Sequence, residues 1–502
     1  MPATPDGATA LRPSSPPRRG LVELLTSVTG LSTTGDVTGV GVTGCTHDSR
    51  AVHPGDLYAA LPGAHAHGAD FAAAAQSAGA VAVLTDPAGA ARVQGLPVLV
   101  AEDPRAVLGA VARWVHDDPA AGMLLLGVTG TNGKTTTAFL LEAGLRAAGH
   151  TTGLLGTVLT RIGADVVAST RTTPEATDLQ ALFAVMRERG VTAVAMEVSS
   201  HALALGRVDG VRYDVAAFTN LSQDHLDFHP SMAEYEAAKA RLFTAAQSRR
   251  GVVNCDDEAG RRLIHRATIP MTTYGEDADW SAREVDLRPD GSSFRLSGPN
   301  QSLRAGVRLP GAFNVANTVC ALATLACAGV PLEPASRGIA ALPGVPGRME
   351  RIDAGQPFLA LVDYAHTPEA VAALLATVRT VTRGRVLVVL GCGGDRDRAK
   401  RPLMGAAAAA GADIVVLTSD NPRGEDPLAI LAQMQAGAPS ARVEADRRAA
   451  IALAVSQAGA GDAVVVAGKG HETGQEINGE VLPFDDRVVL AEAVNGMPAW
   501  SR

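Results

Sequence analysis

No run of ~18 consecutive apolar residues, the length a membrane-crossing helix needs, occurs in the 502-residue chain, so membrane insertion is not expected. Cysteine is scarce. Cys45, Cys255, Cys320, Cys327 and Cys392 are scattered, and none forms a C-x-x-C pair. That spacing indicates neither a zinc site nor a disulfide framework, and it predicts a reduced, cytoplasmic protein. Positive charge is in deficit, with 44 Lys and Arg against 52 Asp and Glu and a net charge of −8. A nucleic-acid partner is not expected from that balance, and an anionic substrate has to be met by locally placed cations. Residues 1–20 are rich in Pro, Arg, Ser and Ala but lack an apolar core. They predict a disordered start and not a signal peptide. No repeat of fixed period is present.

What is there is an α/β pattern too long for one core. From 21 to 121, short apolar runs such as 80–84 and 97–100 alternate with Gly, Pro and Asp turns, and 70–78 reads as helical. Asp117-Asp118-Pro119 looks like a linker. From 122 to 345, apolar strands at 123–128, 191–196, 215–218 and 251–254 alternate with helices, which predicts a parallel sheet. Pro343-Gly344-Val345-Pro346-Gly347 breaks the chain and suggests a hinge. From 346 to 502, strands at 358–362, 386–390, 414–417 and 463–466 each run into a polar or glycine-rich turn. Ligands of open α/β sheets bind at such strand ends.

The most informative segment is Gly127-Val128-Thr129-Gly130-Thr131-Asn132-Gly133-Lys134-Thr135-Thr136, set between a strand and a helix predicted from Thr135 to Ala148. Backbone N–H groups of such a turn and the positive helix end face phosphates. Lys134 adds charge near the β/γ positions, and the Thr135 hydroxyl suits Mg²⁺. The usual G-x-x-x-x-G-K-[ST] spacing would need glycine at Val128. With Gly127 as the leading glycine the loop reads one residue longer.

Other constellations follow strands. Glu197 ends an apolar run just before Ser199, Ser200 and His201, where a carboxylate either holds Mg²⁺ or caps a helix; the crowding of polar groups favours the metal. Asp224, His225, Asp227 and His229 form a cluster of possible cation ligands. Tyr235, Lys239, Leu242 and Phe243 share a helix face, so Lys239 points inward. A buried lysine finds an anion, loses its charge or is chemically modified; a snorkelling lysine is the plainer alternative. In the last third, the turns at 363–368, 391–397, 419–423 and 468–472 together suggest a cleft with two arginines and a glutamate. It suits an amino acid, with arginine for carboxylate and glutamate for ammonium.

Taken together, Gly-Thr-Asn-Gly-Lys-Thr-Thr, Glu-Val-Ser-Ser-His, Asp-His-Leu-Asp, Tyr-Glu-Ala-Ala-Lys, Asp-Tyr-Ala-His-Thr-Pro and Gly-Lys-Gly-His-Glu resemble the Mur ligase family, ATP-dependent amino-acid ligases of bacterial cell-wall precursor synthesis. The resemblance runs from about Leu21 to the end. It implies a three-domain α/β architecture: a UDP-substrate domain (21–121), a central P-loop parallel-sheet ATPase domain (122–345) and a C-terminal Rossmann-like amino-acid domain (346–502). It implies that Gly130, Thr131, Asn132, Gly133, Lys134, Thr135, Thr136, Asn317, Arg348 and Asp363 bind ATP. Thr135, Glu197, His225 and Lys239, the last as a carbamate (N6-carboxylysine), would hold Mg²⁺. Ser49, Thr172, Thr173, Ser199 and Arg207 would hold a UDP-N-acetylmuramoyl-dipeptide. Arg396, Asp420, Asn421, Pro422, Arg423, Gly468 and Glu472 would hold 2,6-diaminopimelate, because Asp-Asn-Pro-Arg marks the diaminopimelate-adding branch. Lys134, Glu197, His225, Lys239 and Arg348 would carry catalysis in a monomeric enzyme, through an acyl phosphate. The chain departs from the family pattern at residues 63–68 and at Leu205. Addition of L-lysine, a folylpolyglutamate synthase and a P-loop ATPase switch are the alternatives.

Overall fold

The computed structural model describes residues 11–497 except 170 and 300. The three largest sheets among the described residues follow one another along the chain, each built from the Val- and Leu-rich runs seen in the sequence. The first has five strands in the order Ser32–Thr34, Val98–Val100, Ala82–Thr85, Asp56–Ala59, Gly44–Thr46, parallel except for the Ser32–Thr34 edge. The helix Pro104–Val115 packs on it through Leu108, Val111, Trp114 and Val115, with Asp103 capping its first turn. Helix starts at 70–78 are tighter than expected: a 3₁₀ turn, Gly68–Phe71, precedes the α-helix Ala72–Ser77.

The second sheet has eight strands. Its middle strand, Leu124–Thr129, lies between Ala193–Glu197 and Tyr213–Phe218, all parallel, with Glu197 paired to Val128 and Phe218 to Thr129. Three chain segments therefore turn at the same sheet end. The strand Met271–Tyr274 and an antiparallel three-stranded sheet, Ser281–Arg288, Gly291–Gly298 and Gln301–Val307, extend this unit. The helix Ala312–Cys327 packs against both. The third sheet has six strands, ordered Glu350–Arg351, Leu359–Asp363, Ala463–Ala467, Val386–Leu390, Ile414–Leu417, Arg442–Val443; only the first is antiparallel. A fully buried pair, Arg447 on Asp486 at 2.7 Å, ties two helices of this unit, and Arg447 also donates to the carbonyls of Ser419 and Ala467.

Two expectations are corrected. Disorder over residues 1–20 does not hold for 11–20; residues 1–10 lie outside the described residues. Arg12 pairs with buried Asp56 at 2.7 Å, Ser14 and Ser15 donate to Glu188, and Arg19 lies 4.3 Å over Trp114. Composition misled because the segment is held mainly by charged and polar anchors, with Leu11 adding an apolar contact to the central core. Gly127 is not the start of the phosphate loop. It sits inside a strand, where a Cβ would come within 2.9 Å of the Tyr213 ring. The Asp117-Asp118 linker is a pinned turn with both residues at positive φ, held by Arg19, Arg113 and Arg187.

Among the described residues no helix is long and apolar enough to cross a membrane. All five cysteines are free, and burial pushes the thiols of Cys320 and Cys392 up to about 12, so they act as apolar filling.

Burial also pushes His116 down to about 4, with Arg12 and Arg187 adding to the effect. The folded state keeps this ring neutral while the unfolded chain protonates it below about 6.5. Its contribution is therefore lost as pH falls from about 6.5 towards 4. His116→Leu is expected to lose about 2 kcal/mol less stability than the unchanged chain between pH 7 and pH 5, read from urea midpoints. Equal losses would refute the burial account.

Candidate active site

The turn after Leu124–Thr129 is compact. Gly133 has φ +85 and caps the helix Lys134–Ala147, and a Cβ there would lie 2.5 Å from the Asn317 amide oxygen. Glycine is needed on both counts. A neighbouring strand end and a helix hold the loop: Thr219 Oγ1 donates to the Asn132 carbonyl at 2.6 Å, Asn220 Oδ1 accepts from Asn132 N at 2.9 Å, and Thr131 Oγ1 bonds the hydroxyl of Tyr235, on the helix Met232–Ala240, at 3.0 Å.

Two lysines converge on this loop. Lys134 Nζ donates to the carbonyls of Gly130 at 2.9 Å and Thr131 at 2.7 Å, and Lys239 Nζ donates to the same Gly130 carbonyl at 2.7 Å. Lys239 is 1% exposed and lies 4.5 Å over the Tyr235 ring. Burial, then the charge of Lys134, hold the Lys239 amine well below the usual lysine range; burial lowers Lys134 as well. Two like charges aimed at one oxygen inside the protein favour a neutral or modified Lys239.

Glu197 sits at the end of its strand with no ion pair among the described residues. Its Oε2 accepts from Thr135 Oγ1 at 2.9 Å and Thr157 Oγ1 at 3.1 Å, and its Oε1 from Thr157 N at 2.7 Å. A buried carboxylate beside a hydroxyl, satisfied only by neutral donors, is a hard-oxygen set that fits Mg²⁺ when phosphates complete the shell. Among the described residues no three His, Cys, Asp or Glu side chains are grouped to hold a metal by themselves. His225, at φ +57, stacks edge-on to His201 at 4.7 Å, and burial pushes it down to about 2, so its imidazole is neutral.

The site opens into a cavity of about 710 Å³. Residues 131–136, Thr172, Thr173, Glu197, Ser199, Arg207, His225, Lys239 and Asn317 line it from the central unit, and Arg348 and Asp363 from beyond the 343–347 break. Arg348 donates to Thr135 Oγ1 at 3.0 Å and its guanidinium lies 4.2 Å over the Tyr364 ring. Asp363 accepts from Met349 N and Ala365 N, both at 2.7 Å, so it sets the backbone that presents Arg348. Thr173 Oγ1 donates to the Glu197 carbonyl at 2.9 Å and accepts from Ser199 N at 3.1 Å; Arg207 pairs with Glu175 at 2.8 Å. Gly130 contributes its carbonyl without lining the cavity.

Ser49 does not line it; it opens a 3₁₀ turn capped by Asp48 in the first unit. In the 63–68 loop, His67 is committed to Asp86 at 3.0 Å. The residues expected to take the amino acid form a separate group in the third unit. Asn421 donates to Glu472 at 2.9 Å and accepts from Lys469 at 2.9 Å; Lys469, fully buried, also pairs with Glu472 at 2.8 Å. Arg423, at φ +51, pairs with Glu476 at 3.1 Å and donates to the Gly394 carbonyl at 2.7 Å. Asp420 follows the strand end and accepts through its carbonyl from Gln475, Pro422 holds the turn, and Gly468 N donates to the Asp363 carbonyl. Arg396 is half exposed. Sequence reasoning missed Thr157, Tyr364, His366, Lys400 and Lys469. Tyr364, His366 and Lys469 lie inside the motifs Asp-Tyr-Ala-His-Thr-Pro and Gly-Lys-Gly-His-Glu, and Lys469 carried the signal of a lysine next to a glycine turn; Thr157 and Lys400 have no local signature.

Fold and site define an enzyme that uses a nucleoside triphosphate at the junction of two α/β units. Family profiles narrow the class: residues 41–124 match the Mur ligase family catalytic domain, 128–325 the Mur ligase middle domain and 347–470 the Mur ligase glutamate ligase domain. The chain belongs to the Mur ligase family and is an ATP-dependent ligase. It is 59% identical over 468 residues to the UDP-N-acetylmuramoyl-L-alanyl-D-glutamate–2,6-diaminopimelate ligase of Streptomyces avermitilis, covering 90% of this chain and 92% of that protein. It is 51% identical over 469 residues to the enzyme of that name from Corynebacterium glutamicum, covering 89% and 90%. A solved structure of a ligase with the same name superposes with a TM-score of 0.64 at 36% identity, over 91% of this chain and 95% of that one.

Proposed function

We infer that the protein joins 2,6-diaminopimelate to UDP-N-acetylmuramoyl-L-alanyl-D-glutamate in peptidoglycan synthesis, converting ATP to ADP and phosphate. The observation that carries this reading is Arg348, brought from the third unit to within 3.0 Å of Thr135 at the start of the phosphate-loop helix. It supplies a cation where two anions, the glutamate carboxylate and the γ-phosphate, have to meet. Lys134 supplies another. Its present partners are carbonyls of its own loop, and phosphate oxygens can replace them at little cost. Thr135 and Glu197, with His225 and a carbamate on Lys239, would hold Mg²⁺, which would offset phosphate charge.

The carboxylate attacks the γ-phosphorus, ADP leaves, and an acyl phosphate forms. Thr172, Thr173, Ser199 and Arg207 line the same cavity and hold the dipeptide end so that its carboxylate faces the phosphate loop. The amine of diaminopimelate attacks the acyl carbon, phosphate leaves, and the amine proton passes to solvent or phosphate. Arg423 and Arg396 take a carboxylate and the Asn421–Glu472 pair an ammonium. The enzyme acts as a cytoplasmic monomer on these soluble substrates.

Phosphate release from ATP, measured with the dipeptide substrate and meso-diaminopimelate, LL-diaminopimelate or L-lysine in turn, tests the reading. Turnover with one diaminopimelate isomer and not with lysine is expected. Turnover only with lysine would refute the amino-acid assignment, and silence with all three would refute the reaction.

A further inference from the structure

The chain has only four lysines among its 44 basic residues: Lys134, Lys239, Lys400 and Lys469. Wherever a surface cation suffices, arginine is used. Three of the four lie in the groups described above. The fourth, Lys400, is 7% exposed and begins the helix Lys400–Gly411, directly after the 391–397 turn of the third unit. Its Nζ lies 3.3 Å from Oδ1 of Asp224, which is 4% exposed and belongs to the central unit. The other oxygen of Asp224 faces His366 at 3.5 Å, again from the third unit. On either side of this pair the same two loops touch: Gln223 donates to Asp397 at 3.1 Å, and Arg396 lies 3.9 Å from Asp227. The loop that carries His225 and the loop that carries Arg396 are thus joined at three successive points across the unit boundary.

We propose that Lys400 and Asp224 are positioning residues that latch the amino-acid loop onto the phosphate-loop face, so that the amine meets the acyl phosphate before water does. A compact ammonium fits the buried space beside Asp224, where a planar guanidinium demands two acceptors. The proposal rests on the ligase reading. If the latch is loosened, the acyl phosphate still forms, but water attacks the acyl carbon in place of the amine, returning the free carboxylate and phosphate without an amide.

The test compares phosphate released with amide formed for the unchanged chain, Lys400→Arg and Gln223→Ala, each with the dipeptide substrate, ATP and diaminopimelate. The unchanged chain is expected to give about one phosphate per amide. Lys400→Arg is expected to give about three or more, with kcat for amide down about tenfold or more and KM for ATP within about twofold, as a misplaced reacting group predicts. Gln223→Ala is expected to shift the ratio the same way by less, and it covers the case in which Lys400→Arg does not fold. An unchanged ratio in both variants overturns the latch and leaves the ligase standing. A raised KM for diaminopimelate with an unchanged ratio also overturns it, since Lys400 would then bind the amino acid directly. No amide from the unchanged chain overturns the ligase reading and the latch with it.

Discussion

Lys239→Ala is expected to lower kcat for amide formation about 10³-fold, the loss that follows removal of a preorganised electrostatic group. The reason is the crowding of charge at Gly130. Its carbonyl takes Lys239 at 2.7 Å and Lys134 at 2.9 Å, inside a region where Lys239 is 1% exposed. Burial and the neighbouring ammonium favour the neutral amine of Lys239 over its charged form. A neutral buried amine is the form that reacts with carbon dioxide: an N–C bond forms, a proton leaves the nitrogen, and the side chain becomes an anion. That anion relieves the repulsion from Lys134 and adds an oxygen donor to the cavity that Thr135 and Glu197 also line. Lys239→Arg separates this account from a simple need for a cation. Arginine keeps the charge and cannot form the carbamate, so it is expected to be as inactive as alanine. Acid works in the same direction, because protonation releases carbon dioxide; activity is expected to rise with pH through the depressed amine range. Turnover near that of the unchanged chain in either variant would sink the carbamate.

Arg423→Ala is expected to raise KM for diaminopimelate about 10–100-fold with little change in kcat, the size of a lost charged hydrogen bond. The guanidinium is held by Glu476 at 3.1 Å and by the Gly394 carbonyl at 2.7 Å, on a backbone at φ +51 that the hairpin Gly474–Ile477 and Glu480–Pro483 keeps in place. Arg423 N also donates to the Glu476 carbonyl, and Asn478 N to the Arg423 carbonyl. The fork is therefore aimed before substrate arrives. Arg423→Lys keeps the charge but not the fork and is expected to recover only part of the loss. Steady-state kinetics with diaminopimelate varied at saturating ATP decide it. An unaltered KM would remove Arg423 from the amino-acid site.

Much of the central unit was legible in the chain. The apolar run before Gly130, the glycine turn and the helix after Lys134 are local events, and each carries its own signal in residue type and spacing. The inward direction of Lys239 followed from its three- and four-residue spacing to Tyr235, Leu242 and Phe243, and all four are buried. Gly127 was misread because a glycine beside a glycine-rich turn looks like part of it; only packing against Tyr213 reveals a strand residue. Residues 11–20 were misread because an arginine anchored to a distant buried aspartate leaves no local trace.

By itself the sequence determined where strands end in polar turns, that Lys239 faces inward and which turn carries Asp420–Arg423, since each depends on periods of two and 3.6 residues and on turn chemistry within a few positions. The tertiary structure alone decided that Arg348 reaches Thr135, that two lysines share the Gly130 carbonyl and that Lys400 meets Asp224. The last pair is 176 residues apart. Such contacts depend on strand order and on how one sheet is set against the next, and no periodicity along the chain records either.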